Sequence, residues 1–247
     1  MKANLFYFLL LIIPLFYQKT VFAQAVKKIP ADKQRLTQWK PEKGQYYFSH
    51  SLVYEYENKA AKTKGTIRIY LDPVSGAMCF LKDSSFMQKG KSFDLVIGFP
   101  NGKYTFYGTD DAGKKTRISE TVNEMKPDPE TVLQQKEDFA TYCLPTANKR
   151  TEFGLESMEY NLGYATSDTK DKIWLAKTPF SVYALYGLEF VESAVSLPVS
   201  FDYMHLLDAD RLITEFSSKD TFFKLVRFGR DPYTAITKGY QESKRED

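Results

Sequence analysis

Alternation of bulky apolar residues with polar ones, broken by turn signals, recurs along most of this sequence. Every second side chain is aromatic, aliphatic or His over much of residues 45–57. This period of two places successive side chains on opposite faces of a β-strand. The pattern returns in four further segments, 65–71, 77–82, 93–99 and 103–108. Asn101-Gly102, a strong hairpin signal, joins the last two. We therefore predict antiparallel strands joined by short turns.

A helical pattern interrupts the alternation in the middle of the chain. Asp128 suits a helix N-cap and Pro129 the first helical turn, and apolar residues then recur at helical spacing. This predicts a helix over 130–141. A second helix is predicted after Pro179, although Gly187 weakens it. Further strands are predicted at 114–125, 152–160, 163–167, 172–177, 211–217 and 221–228.

These elements predict a mainly β (α+β) fold. We expect a strongly twisted antiparallel meander that forms a half-open barrel packed on one or two helices. One β-rich domain should span residues 45–228, after a polar arm (24–44) and before a polar tail (229–247). Hydrophobic residues make up 43% of the 247 residues, enough for one sizeable core.

The N-terminus has the layout of a signal peptide. Lys2 precedes an apolar run from Leu5 to Tyr17, and Val21 and Ala23 occupy the positions that signal peptidase reads. We expect residues 1–23 to be removed, with cleavage after Ala25 as the alternative. An uncleaved membrane anchor is the other interpretation, but a spanning helix needs about 20 apolar residues.

Export to the bacterial periplasm or the medium follows from this interpretation, without lipidation, since no cysteine lies near the cleavage site. Removal of Lys2 and Lys19 would bring the net charge of +3 closer to zero. A near-neutral chain is unlike nucleic-acid-binding proteins, which carry a basic patch or stripe. No transmembrane segment is expected after the signal peptide.

Cys79 and Cys143 are the only cysteines. In an oxidising compartment they could form one disulfide, and two buried free thiols are the alternative. There is no CxxC motif to indicate a zinc site or a redox site. We expect no cofactor.

Two histidines limit the catalytic options, because a three-histidine zinc site is excluded. A hydrolase using His205 with Asp208 or Asp210 is one hypothesis, and a divalent-ion loop that adds Asp202 is another. A solvated turn is the structural alternative for the same residues. Nucleophile and phosphate-binding motifs are missing from the sequence. We therefore expect a protein that is not an enzyme.

Apolar strand faces are the remaining candidates for a binding site. If helices cover only part of such a face, the rest would line a cavity for an acyl chain or a similar ligand, and a dry core is the alternative. His50 would be a polar group inside that cavity, or a core histidine. The candidate ligand-binding residues are Phe48, His50, Leu52, Phe93, Leu95, Ile97, Phe99, Tyr104 and Phe106.

The layout resembles a known group of exported proteins. A meander with a mid-chain helix, and the stretch from Asp171 to Phe180, in which a strand runs into a helix, are similar to the LolA/LolB-like superfamily of periplasmic lipoprotein carriers. The resemblance covers most of residues 45–228, and no functional residue is carried over. It implies a half-barrel that binds lipids or lipoprotein acyl chains on its concave face.

We therefore predict an exported, non-enzymatic protein that binds a hydrophobic ligand, a lipid or a lipoprotein acyl chain. An envelope structural or interaction module without a ligand is the first alternative. The hydrolase built on His205 is the second.

Overall fold

One large antiparallel β-sheet dominates a computed structural model of the chain. The structure describes residues 29–86, 93–110, 112–122, 128–164, 167–191 and 197–243. The predicted signal peptide, residues 1–23, lies outside the described residues. The sheet has 12 strands in the order β12-β6-β5-β4-β3-β2-β1-β11-β10-β9-β8-β7 and is not closed. All neighbours pair antiparallel except β12 and β6, which are parallel. The prediction of a mainly β, antiparallel fold is confirmed.

The strands alternate with short turns along most of the chain. Their bounds are β1 Gln45–Asn58, β2 Thr63–Asp72, β3 Ala77–Leu81, β4 Phe93–Gly98, β5 Lys103–Thr109, β6 Lys115–Thr121, β7 Cys143–Glu152, β8 Leu155–Tyr164, β9 Ser167–Lys177, β10 Arg211–Ser217, β11 Thr221–Ile236 and β12 Gln241–Glu242. Strand β7 is an addition to the predicted set. It lies at one edge of the sheet, where Pro145 is tolerated.

The helices are short. They are α1 Lys33–Gln38, α2 Lys82–Ser85, α3 Pro129–Tyr142 and α4 Tyr183–Tyr186, with 3-10 turns at Pro41–Lys43 and Gly187–Phe190. Asp128 caps α3 as predicted, because its side chain accepts hydrogen bonds from the N–H groups of Glu130 and Thr131. No residue of α3 is buried, and only Phe139 packs partly against the core. The helix expected to cover the sheet is therefore largely exposed.

A mostly irregular segment covers the sheet instead. We call residues 178–191 and 197–210 the cover segment. Its apolar side chains join one extended cluster with residues from β1, β2, β4, β5, β9, β10 and β11. The hydroxyl of Tyr104 donates to the carbonyl of Ala184 at 3.1 Å, and that of Tyr54 to the carbonyl of Ile213 at 2.9 Å. Each buried phenol thus has a partner, as burial requires.

The predicted second helix is only one α-helical turn followed by a 3-10 turn that begins at Gly187. A Cβ atom at this position would lie 2.6 Å from the hydroxyl oxygen of Tyr104. The close approach allows the cover segment to lie directly on β5, and a larger residue would push it away.

A second, smaller cluster lies on the opposite face of the sheet. It contains Tyr46, Phe48, Tyr70, Ala77, Cys79, Leu95, Ile97, Tyr107 and Ala235. Trp39 covers it from the N-terminal side, with its ring 5.7 Å from that of Tyr46. Tyr240 packs edge-on against Tyr107 at 5.3 Å from the other side. Much of both faces is therefore buried across β2, β3, β4 and β5.

Two domain boundaries differ from prediction. Residues 229–236, expected in the polar tail, continue β11 and pair with β1. The polar arm contains α1, which is tied to the sheet by a buried ion pair. The Arg35 guanidinium donates to both carboxylate oxygens of Asp72, whose side chain is fully buried. The ordered domain thus extends beyond 45–228 at both ends.

Both cysteines are free and buried, which is the second of the two alternatives drawn from the sequence. Cys79 belongs to the smaller cluster and Cys143 to the larger, on opposite faces of the sheet. Burial raises the pKa of Cys143 to about 11, which keeps this thiol protonated at neutral pH. In the part of the chain that the structure describes, no helix has the length and apolar character that a membrane span needs.

Candidate functional site

The nine predicted ligand-binding residues do not share one face of the sheet. Leu52, Phe93, Tyr104 and Phe106 belong to the larger cluster, whereas Phe48, Leu95 and Ile97 belong to the smaller one. All seven are at most 8% exposed. Phe99 packs against the smaller cluster while remaining half-buried.

Irregularities in strand pairing explain part of this division, and the regular pairing of Ile97 with Thr105 places Tyr104 and Phe106 on the other face. The register of β4 against β5 shifts between Phe93 and Leu95, so the apparent period-two face of β4 changes sides there. The register of β1 against β11 shifts between Phe48 and His50. A bulge adds an unpaired residue and redirects the side chains beyond it. The sequence pattern alone does not show where such a bulge lies.

His50 is a half-buried residue beside the larger cluster. Its ring stacks on Phe228 at 5.7 Å, and its Nδ1 lies 2.7 Å from the Ser49 hydroxyl oxygen. Burial, with the nearby positive charge of Arg230, lowers the pKa of His50. The imidazole is therefore neutral at neutral pH, as in a satisfied core histidine.

His205 and its neighbouring carboxylates point to different partners. The ring of His205 packs edge-on against Phe190. Asp208 pairs with Lys136 at 3.7 Å, and Asp210 pairs with Lys177 at 3.5 Å. Within the described ranges, no group of three or more His, Cys, Asp and Glu side chains is placed to hold a metal ion.

A cleft of about 320 Å³ opens between the cover segment and the turn joining β10 to β11. We call it the hairpin cleft. Its lining residues are Asn58, Glu189, Leu197, Pro198, Val199, Ser200, Tyr203, Phe216, Thr221 and Phe223. Phe216 stacks on Phe223, with ring centroids 5.5 Å apart. The volume of the hairpin cleft lies near the lower end of the range of small-molecule sites, about 300–1,000 Å³.

Glu189 is the carboxyl group in the lining of the hairpin cleft. Its carboxylate accepts a hydrogen bond from the Ser200 hydroxyl at 2.8 Å and one from the N–H of Phe201 at 3.3 Å. Burial raises the pKa of Glu189 despite these hydrogen bonds. A carboxyl group with a raised pKa in a cleft of partly apolar lining is a marker of functional sites.

A second depression of about 370 Å³ lies on the opposite face of the sheet, over β5 and β6. We call it the β5–β6 groove. It is lined by Tyr46, Phe99, Asn101, Lys103, Thr105, Tyr107, Arg117, Ser119 and Glu242. Its lining combines aromatic rings with hydroxyl, amide and charged groups.

Comparisons with known proteins add little to this geometry. No family model and no curated protein matches the sequence. Two solved structures of PNGF-II match with TM-scores of 0.40 (space group C2) and 0.37 (space group P21), each at 9% identity. They cover 80% and 74% of this chain, which in turn spans 31% and 28% of theirs. Neither match establishes a shared fold.

Sequence reasoning missed both depressions. Residues from β1, the cover segment and the β10–β11 hairpin form the hairpin cleft, so they lie far apart in the chain. Glu189 is one of two carboxyl groups, with Glu192, in the apolar stretch 180–201, and this is the one signal that the sequence offered.

Proposed function

We propose that this chain is an exported, non-enzymatic binding protein that holds an acyl chain in the hairpin cleft. The observation that carries the proposal is the apolar part of the cleft lining, in which Phe216 is half-buried. Val199 and Leu197 approach from the cover segment, while Phe216 and Phe223 approach from the hairpin. Contact with an acyl chain would remove the apolar surface that Phe216 still exposes to water, which is favourable.

Polar groups of the cleft would bind the head of the ligand. Glu189, Ser200 and Thr221 belong to the same lining. An ester or amide near the end of an acyl chain offers polar atoms that such groups can hydrogen-bond. Small-molecule sites commonly combine an apolar wall with a few convergent polar groups.

We also propose that the sheet forms a half-open barrel. In such an arrangement the sheet curves around the cover segment, and the hairpin cleft is the mouth left between them. Export through the predicted signal peptide would place the protein in the periplasm or outside the cell, where lipids and lipoprotein acyl chains are natural ligands. The resemblance to LolA/LolB-like carriers favours the same ligand class.

Displacement of a fluorescent fatty acid from the mature protein tests the proposal. Phe216→Asp would place a carboxylate in the apolar wall and should weaken binding at least tenfold. Leu133→Asp is the matched control, because Leu133 is 59% exposed on α3, away from the cleft. Equal binding by both variants, or no binding by the unmodified chain, would contradict the proposal. The second result would favour an envelope interaction module.

A further inference from the structure

The geometry of the β5–β6 groove points to a second binding site, for a neutral saccharide. This site lies on the face of the sheet opposite the cover segment and does not depend on the proposed acyl site. Its residues come from β1, the β4–β5 turn, β5, β6 and β12.

Aromatic rings form one wall of the groove. Tyr46 and Phe99 lie with ring centroids 6.3 Å apart and are tilted by 59°. Tyr107 lies beneath them, almost fully buried. The face of an aromatic ring carries partial negative charge. It therefore suits the weakly positive C–H groups on the flat face of a pyranose ring, and Phe99 is half-buried and available for such a contact.

Hydroxyl groups form the floor. Thr105 and Ser119 are cross-strand partners, and their hydroxyl oxygens lie 3.1 Å apart. Thr105 is buried, whereas Ser119 is exposed. Each hydroxyl can donate one hydrogen bond and accept others, so the pair retains capacity for the hydroxyl groups of a sugar. Asn101 adds an exposed amide at one end of the groove.

Among the charges of the lining, Arg117 and Glu242 offset each other, and Lys103 adds an exposed ammonium group. Arg117 Nε lies 2.7 Å from a carboxylate oxygen of Glu242, a contact between opposite charges without hydrogen-bond alignment. The guanidinium charge is thus offset within the protein, which weakens the attraction for an anion. Paired Arg and Glu groups still provide donors and acceptors for sugar hydroxyls on both sides.

Saturation-transfer-difference NMR of the mature chain with maltose and with N,N′-diacetylchitobiose tests this site. We expect saturation transfer to the ring protons of at least one disaccharide. Phe99→Leu keeps an apolar side chain but removes the aromatic face, and should weaken binding about tenfold. Phe153→Leu is the matched control, because Phe153 is 42% exposed in the turn between β7 and β8.

A second variant keeps the test valid if Phe99→Leu unfolds the chain. Ser119→Ala removes one exposed hydroxyl and should weaken disaccharide binding several-fold without changing the melting temperature. Absence of saturation transfer with both disaccharides would overturn the proposal. The proposal would also be overturned if Ser119→Ala binds the disaccharide as tightly as the unmodified chain does, while Phe99→Leu either unfolds or binds it equally tightly.

Discussion

Two halves of the same sheet differ in how they use the face opposite the cover segment. On this face β5, β4, β3 and β2 contribute the paired row Thr105, Ile97, Cys79 and Tyr70, which is at most 9% exposed. Across β8, β9, β10 and β11 the paired row is Glu159, Trp174, Glu215 and Lys224. One half is an aromatic core, and the other is a charged surface.

The comparison shows that only one face of this sheet needs covering along its whole length. The cover segment buries the common face of both halves, so the second face is free to differ. In the aromatic half, Trp39 and Tyr240 provide that second cover from the two ends of the domain. In the charged half, side chains pair with each other. Arg150 stacks on Trp174 at 4.0 Å and donates to Glu215 at 2.7 Å.

The largest effect that separates the halves should come from removing an aromatic side chain of the smaller cluster. Phe48 is fully buried there, so Phe48→Ala should lower the free energy of unfolding by about 4 kcal/mol through lost burial and a cavity. Phe153→Ala, in an exposed turn of the other half, should change it by less than about 0.5 kcal/mol. Urea unfolding measures both, and similar values would break the comparison.

Loss of the ion pair that ties α1 to the sheet should have the next largest effect. Arg35→Ala leaves the fully buried carboxylate of Asp72 without its guanidinium, at a cost of about 3 kcal/mol. Lys136→Ala is the control, because the Lys136–Asp208 pair is exposed and should contribute at most about 1 kcal/mol. Chemical denaturation of both variants checks the difference. Equal losses would show that α1 is not held by this pair.

Charge pairs of the charged half should contribute less. Arg150 and Glu215 are each about one-fifth exposed, so a double-mutant cycle with alanine should give a coupling of about 1 kcal/mol. Added salt should reduce this coupling, since solvent reaches both groups. A coupling near 3 kcal/mol, unchanged by 1 M salt, would mean that this face is buried in solution.

Two glutamates should respond to pH in opposite directions, with the smallest effects. Burial alone would raise the pKa of Glu159, but hydrogen bonds from Asn148, Lys172 and Thr146 outweigh it and lower the pKa. Its ionised form therefore stabilises the fold above its unfolded pKa, and this contribution is lost as pH falls through the lower folded value.

Burial raises the pKa of Glu189, so its contribution is present below the unfolded pKa and is lost as pH rises through the folded value. At pH 7, Glu189→Gln should raise the melting temperature and Glu159→Gln should lower it. Near pH 4 both differences should shrink. Thermal unfolding from pH 4 to pH 7 measures them, and a shift of the same sign for both variants would refute the assignment.

Strands with regular alternation were predictable from the sequence. β1, β3, β5 and the β10–β11 hairpin begin within a residue of their predicted positions. Strand β7 was not, because Pro145 and the polar run after it lack alternation, and pairing with β8 alone holds it in the sheet. The face of each side chain could not be predicted beyond a bulge, as Phe93 and Leu95 show.

The candidate sites were less predictable than the fold. An apolar stretch in sequence indicates burial, and Leu52 and Ile97 are indeed buried. Whether buried residues face a cavity depends on what packs over them. Over β5 this is the cover segment, which can approach Tyr104 closely because Gly187 has no side chain. Long-range placement of Glu189 beside Phe216 likewise depends on the path of the cover segment.

Native mass spectrometry with organic extraction, on mature protein purified from an exported preparation, tests the proposed acyl-binding function most directly. We expect an additional mass that extracts as lipid, is retained in Leu133→Asp and is lost in folded Phe216→Asp. A ligand-free mass for the unmodified protein, or a lipid retained equally by both variants, would contradict binding in the hairpin cleft.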